Sequence, residues 1–279
     1  MARQRGETRE GETEAGARPY QINVLDRAVS ILDAFAQSGQ SLSLSEIAGQ
    51  TGLHVSTCLR LLSNLKHHGL VARDDDSGRY RLGYRLLAMA DTARGDSGLV
   101  ATALPVMREL SHRFNETVVI SVRSGDNRID LEQVVGQQSV RRVVALGIEK
   151  PLYAGAASRV LLSGLSADEL ESYLERVELR KLASRTITDA GELRAALSRI
   201  RKAGYAESVQ EQFDDSGGGI VAPVMGGRGE MVAALGISVP QFRFTAQLRA
   251  ELIPAVIAAA QQASQAIGGR AGPAAGTAP

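Results

Sequence analysis

The chain has 279 residues, 44% of them hydrophobic, which is enough for two domains with cores of their own. The formal net charge is only +1, aromatics make up 4%, and Trp is absent. These values exclude a global field that draws the chain to nucleic acid and a surface that stacks single-stranded bases, so any DNA contact must come from a local basic patch. The single cysteine, Cys58, excludes an internal disulfide and a cysteine-cluster metal site.

The N-terminus is charged, Gly-rich and without the apolar stretch of a signal peptide, so residues 1–20 are expected to be a disordered arm. No apolar run reaches the roughly 18 residues of a membrane span. No membrane association and a cytoplasmic location are therefore expected. A first helix begins at Asn23-x-x-Asp26, with Val24, Leu25, Ala28, Val29, Leu32 and Phe35 as its apolar stripe. Arg27, near its start, is placed to meet a DNA backbone.

Ser43-x-x-Glu46 is a capping-box pattern flanked by the staple pair Leu42 and Ile47, so a short second helix starts at Ser43 and ends at Gly52. A third helix follows at once, from about His54 to His68, with Gly69 as its stop. Its apolar stripe is Val55, Cys58, Leu59, Leu62 and Leu65. Ser56, Thr57, Arg60 and Asn64 fall on another face. Arginine pairs bidentately with guanine, asparagine with adenine, and threonine offers a hydroxyl and a methyl. A solvated face is the alternative for such a helix taken alone. Cys58 reads as a core thiol, with redox sensing as the other use of that position.

The next segment decides between the two readings of the helix. Leu70 to Arg73 and Arg79 to Gly83 are alternating runs around Asp74-Asp75-Asp76-Ser77-Gly78, a turn whose aspartates are turn formers. Leu70, Ala72, Tyr80 and Leu82 are expected to point inward and Arg73, Arg79 and Arg81 outward. A basic hairpin directly after two such helices is the wing of a winged helix-turn-helix, expected over residues 21–83. Arg79 and Arg81 are its candidate phosphate contacts, which position a protein on DNA without reading sequence.

Residues 84–98 read as a linking helix broken by Gly95-Asp96-Ser97-Gly98. Leu86, Leu87 and Ala90 would form its seam, against a twin helix or against its own domain. Residues 99–268 then alternate helices with β-rich runs. A helix from Leu104 to Asn115 comes first, then ETVVISVRS, NRIDLEQVVG and RRVVALG, followed by a helix from Gly155 to Ser163 and helices that start at Ser166 and at Thr188 or Asp189. YAESVQ, GGIVAPVM and EMVAALGISVP come next, the last two around the hairpin sequence Gly226-Gly227-Arg228-Gly229. A helix from Thr245 to about Ile267 closes the domain, and residues 269–279 are expected to be a disordered tail. The fold class is α+β, with a mostly antiparallel sheet in the second domain.

Catalytic constellations are missing from that domain. His112 is its only histidine, no G-x-S-x-G elbow is present, and neither glycine cluster continues as a P-loop. Asp214-Asp215 reads as loop solvation before acid/base chemistry. The four histidines lack the spacing of a helical zinc site. No enzyme activity, cofactor or metal is expected. Three functions remain: an effector-responsive DNA-binding regulator, an enzyme fused to a DNA reader, and a partner-docking protein that takes no ligand.

The segments LDRAVSILDAF, LSLSEIAGQTGLHVSTCLRLLSNLKHHGLV, DSGRYRLGYRLLAMA, KPLYAGAASRVLLS, RTITDAGELRAALSRIRKAGYAES and IVAPVMGGRGEMVAALGISVP, in this order, resemble the isocitrate lyase regulator (IclR) family of bacterial transcription factors. The resemblance covers about residues 22 to 267. It implies a winged helix-turn-helix, a linking helix and a GAF-like effector-binding domain. It also implies a regulator, in the first place a repressor, that binds palindromic double-stranded DNA as a homodimer or dimer of dimers. In such proteins the C-terminal domain holds a small effector, often a carboxylate. Carried onto this chain, the pocket positions are Tyr153, Ala156, Ala157, Gly219, Gly236 and Ser238, with Arg142 nearby as a carboxylate holder or a solvated strand residue. Tyr153 stands where His is usual, Ser158-Arg159 where Gly-Lys is usual, and Gly219 and Gly236 replace larger polar residues. These departures imply a larger pocket with Tyr153 as an aromatic wall, suited to an aromatic or longer organic acid. In the third helix His54-Val55 replaces a common Pro-Lys.

Overall fold

The computed structural model describes residues 23–95, 98–209, 211 and 217–268. The N-terminal arm, the C-terminal tail, Asp96-Ser97 and Asp214-Asp215 lie outside the described residues. The chain divides into two compact units, with the boundary between Thr92 and Ala93.

The first unit contains α1 (Asn23–Ser38), α2 (Leu44–Thr51), α3 (Val55–His67), and a hairpin of β1 (Val71–Arg73) and β2 (Tyr80–Leu82). Its helix ends follow from local chemistry. The Ser43 hydroxyl accepts from the Glu46 N–H at 3.3 Å, and the Ser43 N–H donates to Glu46 Oε2 at 2.6 Å, closing the capping box. Gly52 ends α2 at φ +68°, a backbone conformation that costs glycine nothing. Ile31, Phe35, Ile47, Cys58, Leu62 and Tyr80 meet in one apolar core. Tyr80 also exchanges backbone hydrogen bonds with Leu42, which joins the hairpin to the start of α2.

Two expected stripes are corrected by this packing. On α1 the buried residues are Ile31, Ala34 and Phe35, whereas Val24, Leu25 and Val29 are exposed. Leu25 and Val29 fall on the side of α1 away from the core, and Val24 lies two turns before Ile31. In the hairpin Val71 is buried in place of Leu70 and Ala72, and Leu82 is exposed. The pairing Val71↔Leu82 and Arg73↔Tyr80 puts these four residues on one face, and of them only Val71 and Tyr80 are buried in the core with the helices. α4 (Arg85–Gly95) follows, with Tyr84 just before it and Leu87 and Met89 on it exposed.

The second unit opens with α5 (Leu99–Phe114) and continues with β3 (Thr117–Ser124), β4 (Asn127–Val134), β5 (Glu149–Pro151), α6 (Ala156–Ser163), α7 (Ala167–Arg176), α8 (Ala190–Ala203), β6 (Ala206–Val209), β7 (Gly218–Met225), β8 (Met231–Val239) and α9 (Ala246–Ala266). The strands form one six-stranded sheet in the order β5-β4-β3-β8-β7-β6, with every pair antiparallel. Ser166 and Glu169 close the expected capping box of α7, and Asp189 caps α8. Side-chain alternation gives the sheet two different faces. Val118, Ile120, Ile220, Leu235 and Ile237 pack against α5 and α9. Val221 and Ala234 point the other way, into a second core with α6, α7 and α8.

RRVVALG, expected as a strand, forms no ladder; β5 begins only at Glu149. Side chains hold this segment instead. The Gln133 amide donates to the Val144 carbonyl at 2.8 Å and accepts from the Val144 N–H at 2.9 Å, and the Thr117 hydroxyl donates to the Arg142 carbonyl at 2.5 Å. The Arg142 carbonyl and both backbone groups of Val144 are satisfied there without a strand.

Candidate functional site

α3 turns a broad arc to solvent. Ser56, Arg60 and Asn64 are exposed and Thr57 is half-buried. Val55 and Leu59, expected in the core stripe, join this arc at 48% and 50% exposure. Cys58, Leu62 and Leu65, spaced i, i+4, i+7, are the residues of α3 buried in the core, with Leu61 partly buried against it. Among the described residues the Arg60 guanidinium has no hydrogen-bond or ion-pair partner, so its five donors are open. Asn64 is partly committed: its amide donates to the Arg60 carbonyl at 2.8 Å. His54 caps the helix, its Nδ1 lying 2.8 Å from the Ser56 hydroxyl. The arc thus mixes hydrogen-bonding groups with two apolar side chains, a composition that matches base edges and thymine methyls.

The wing arginines divide. Arg81 is exposed and stacks over the Tyr84 ring at 4.7 Å. Arg79 does not point outward as expected. Its guanidinium donates to the Ser41 carbonyl at 2.6 Å and to Glu46 Oε2 at 2.8 Å. It ties the wing to the cap of α2. Glu46 sits below the usual carboxylate range, mainly through the Ser43 N–H and hydroxyl and then through Arg79. The expected turn role of Asp74 is seen directly: its carboxylate accepts from the Ser77 hydroxyl and N–H at 2.7 and 2.8 Å. Arg27 is exposed near the start of α1.

In the second unit a cavity of about 570 Å³ lies on the α6 side of the sheet, walled by the segment 142–148. It brings together Arg142, Ala156, Ala157, Gly219, Gly236 and Ser238. Tyr153 is not among its walls. It is 3% exposed and packs in the second core with Leu152 and Tyr173, so it is no aromatic wall. Gly236 also differs from expectation. A Cβ there would lie 2.4 Å from Val221 Cγ2 and 2.6 Å from the Ile220 carbonyl, so the glycine is required by the approach of β7 rather than by cavity size.

Sequence reasoning missed the charged part of this cavity. Arg128, Asp130 and Lys150 line it, with Ser121 beside them. Asp130 is 2% exposed. Its carboxylate accepts from the Ser121 hydroxyl at 2.6 Å and pairs with Lys150 Nζ at 2.7 Å and Arg128 Nε at 3.2 Å. Burial pushes the Arg128 pKa down, against the opposing pull of Asp130. Glu211 marks the other end: it pairs with Arg159 at 2.6 Å and accepts from the Gly155 N–H at 3.1 Å, at the start of α6. Burial raises the Glu211 carboxyl and lowers the Arg159 guanidinium. The signal for the missed residues was present as i, i+2 spacing in NRIDLEQ. Charges alternating along a strand look the same whether that face meets water or a cavity.

Two family descriptions match the chain in tandem: the IclR helix-turn-helix domain over residues 24–75 and the bacterial transcriptional regulator IclR C-terminal domain over residues 93–265. The chain belongs to the IclR family of bacterial transcriptional regulators. It is 33% identical to the HTH-type transcriptional regulator KipR of Bacillus subtilis, over 87% of this chain and 96% of that protein. It is 30% identical to the acetate operon repressor of Salmonella typhimurium, over 89% and 91%. The crystal structure of the Thermotoga maritima IclR is similar at a TM-score of 0.76 and 29% identity, covering 89% of this chain and 100% of that one. An IclR homolog from Microbacterium hydrocarbonoxydans, solved in complex with 4-hydroxybenzoate, shares the fold at a TM-score of 0.72 and 24% identity, over 88% and 99%. The α+β architecture, with a helix-turn-helix unit followed by an antiparallel-sheet unit, is that of these regulators. Among the described residues no helix is long and apolar enough to cross a membrane.

Proposed function

We propose that this regulator reads double-stranded operator DNA through the exposed arc of α3 and changes its grip when an organic acid enters the cavity of the second unit. The observation that carries the DNA half is Arg60, exposed on α3 with a guanidinium that has no partner among the described residues. In this reading Arg60 contacts a base, Ser56, Thr57 and Asn64 contact neighbouring base edges, and Arg27 and Arg81 hold phosphates. Arg79 contributes indirectly, by fixing the wing. One such helix covers only a few base pairs, so a homodimer on a two-fold site is the working unit, with half-sites about 10–10.5 bp apart. Exposed Leu87 and Met89 on α4, and Leu25 and Val29 on α1, support pairing with a second copy. The protein acts in the cytoplasm, where its DNA is, and as a binder rather than an enzyme. The relative named a repressor supports repression as the default action.

The test is a thermal-shift screen of organic acids and neutral analogues against the full chain. A ligand selective for the folded state raises stability by mass action, by about 2.7 kcal/mol at a hundredfold excess over Kd. Acids that raise the melting temperature and also alter operator affinity support the reading. A protein unmoved by every compound, yet bound to its operator, would instead be a ligand-independent docking factor.

A further inference from the structure

The first turn of α3 fixes where its hydrogens point. His54 is the N-cap, and its Nδ1 accepts from the Ser56 N–H at 3.4 Å. The same Nδ1 lies 2.8 Å from the Ser56 hydroxyl oxygen. A backbone N–H cannot turn away. Because it aims its hydrogen at Nδ1, that nitrogen carries a lone pair and the ring proton sits on Nε2. The hydroxyl can rotate, and two lone pairs facing each other at 2.8 Å would repel. It therefore donates to Nδ1. A serine hydroxyl has one hydrogen and two lone pairs. With the hydrogen given to His54, the Ser56 hydroxyl has only acceptor capacity left for a partner. Both residues are exposed at the end of the arc that also carries Arg60.

We propose that His54 is a positioning residue that sets base specificity. By holding the Ser56 hydrogen it makes the hydroxyl an acceptor, so Ser56 selects adenine or cytosine on the strand it faces. This rests on the reading of the α3 arc as the surface that contacts bases. Residues at the N-terminal end of a recognition helix are the ones that reach base edges. In the major groove adenine presents the N6 amino group and cytosine the N4 amino group. Guanine presents only the acceptors N7 and O6, and thymine the acceptor O4 beside its methyl. An acceptor-only hydroxyl bonds to either amino group and meets the keto bases lone pair to lone pair. A serine hydroxyl left free would turn to suit either kind and discriminate between neither. His54 therefore acts through Ser56 and needs no base contact of its own.

Selection of bound duplexes from a pool of randomised double-stranded DNA, read by sequencing, tests this on the full chain. Ser56→Ala is expected to flatten the preference at one position, which marks the base that Ser56 faces. There the wild type is expected to favour adenine or cytosine over guanine and thymine by about fivefold, the worth of one hydrogen bond. His54→Ala is expected to bring that ratio below twofold and to leave the position read by Arg60 as selective as before. His54→Asn places an amide oxygen where Nδ1 stands, so it caps the helix, accepts from Ser56 and keeps the ratio. In a Ser56→Ala background His54→Ala is expected to change no preference further. Melting curves check that each variant is folded. Guanine or thymine favoured at the Ser56 position, or a His54→Ala protein that keeps the wild-type ratio, would overturn the proposal. So would a His54→Ala protein whose selectivity falls equally at every position, since His54 would then serve only as a cap. If Ser56→Ala alters no position while Arg60→Ala alters one, the proposal fails and the reading of α3 stands. If neither alters any position, both fail.

Discussion

The two units place their polar chemistry in opposite ways. Every buried polar or charged residue among the described ones lies in the second unit, from Ser111 onward. The first unit has an apolar core and carries Arg60, Ser56 and Arg81 at its surface. The difference follows from the size of the partner. DNA cannot enter a protein, so its reader must present donors outward on a rigid helix. A small molecule can be enclosed, so its reader can keep ions inside a wall, where their attraction for a ligand is least weakened by water.

The largest expected effect is in the buried set. Asp130→Ala leaves Arg128 and Lys150 opposed with their shared carboxylate gone. Breaking a buried pair in this way costs about 3–5 kcal/mol, to be read as a lower urea midpoint for the second unit. An unchanged midpoint would mean that water already reaches this cluster, and the contrast between the units would fail.

On the exposed side the effects are smaller and concern DNA. Arg60→Ala is expected to cost about 1–3 kcal/mol on the operator and to relax preference at one base position. Arg81→Ala should weaken all sequences alike and flatten the salt dependence of binding by about one unit of slope. Arg79→Ala separates the wing's anchor from its phosphate contact: it should lower stability by less than about 1 kcal/mol, as for a partly exposed pair, and leave the salt slope as it was. Anisotropy titrations at several salt concentrations distinguish all three.

Smaller still is the cap of α2. Ser43→Ala should cost about 1 kcal/mol, measured by denaturant unfolding. Its acidic partner sets a sign. The folded-state pKa of Glu46 is lowered, so its stabilising contribution is present above the ordinary carboxylate pKa and is lost as pH falls through the lowered value. Glu46→Gln should remove that part of the acid sensitivity.

The same contrast explains what could be read in advance. Helix ends were legible because Ser43, Glu46, Gly52, Ser166, Asp189 and Thr245 act on their own backbone neighbours. Burial was less so. Val55 and Leu59 are apolar at helical spacing, yet the width of a buried stripe depends on the partner helix, which periodicity does not encode. RRVVALG has the β-branched content of a strand, but Gln133 and Thr117, distant in sequence, satisfy its backbone. Ala156, Ala157, Gly219 and Ser238 were reached from family position. Tyr153 was misplaced because it turns into the core. Arg128, Asp130 and Lys150 were missed because the identity of the sheet face they share is a tertiary fact.

The central claim is that reading DNA and reading the small molecule are separable, one carried by exposed side chains of the first unit and the other by the cavity of the second. It is tested most directly by measuring operator affinity with and without the organic acid that most raises the melting temperature, in wild type, Arg60→Ala and Ala157→Phe, which fills the cavity. The account predicts that Arg60→Ala loses operator preference and still binds the acid, while Ala157→Phe holds the operator as wild type does and no longer responds to the acid. An Ala157→Phe protein whose operator affinity still shifts with the acid as in wild type, or an Arg60→Ala protein with unchanged operator preference, would contradict it.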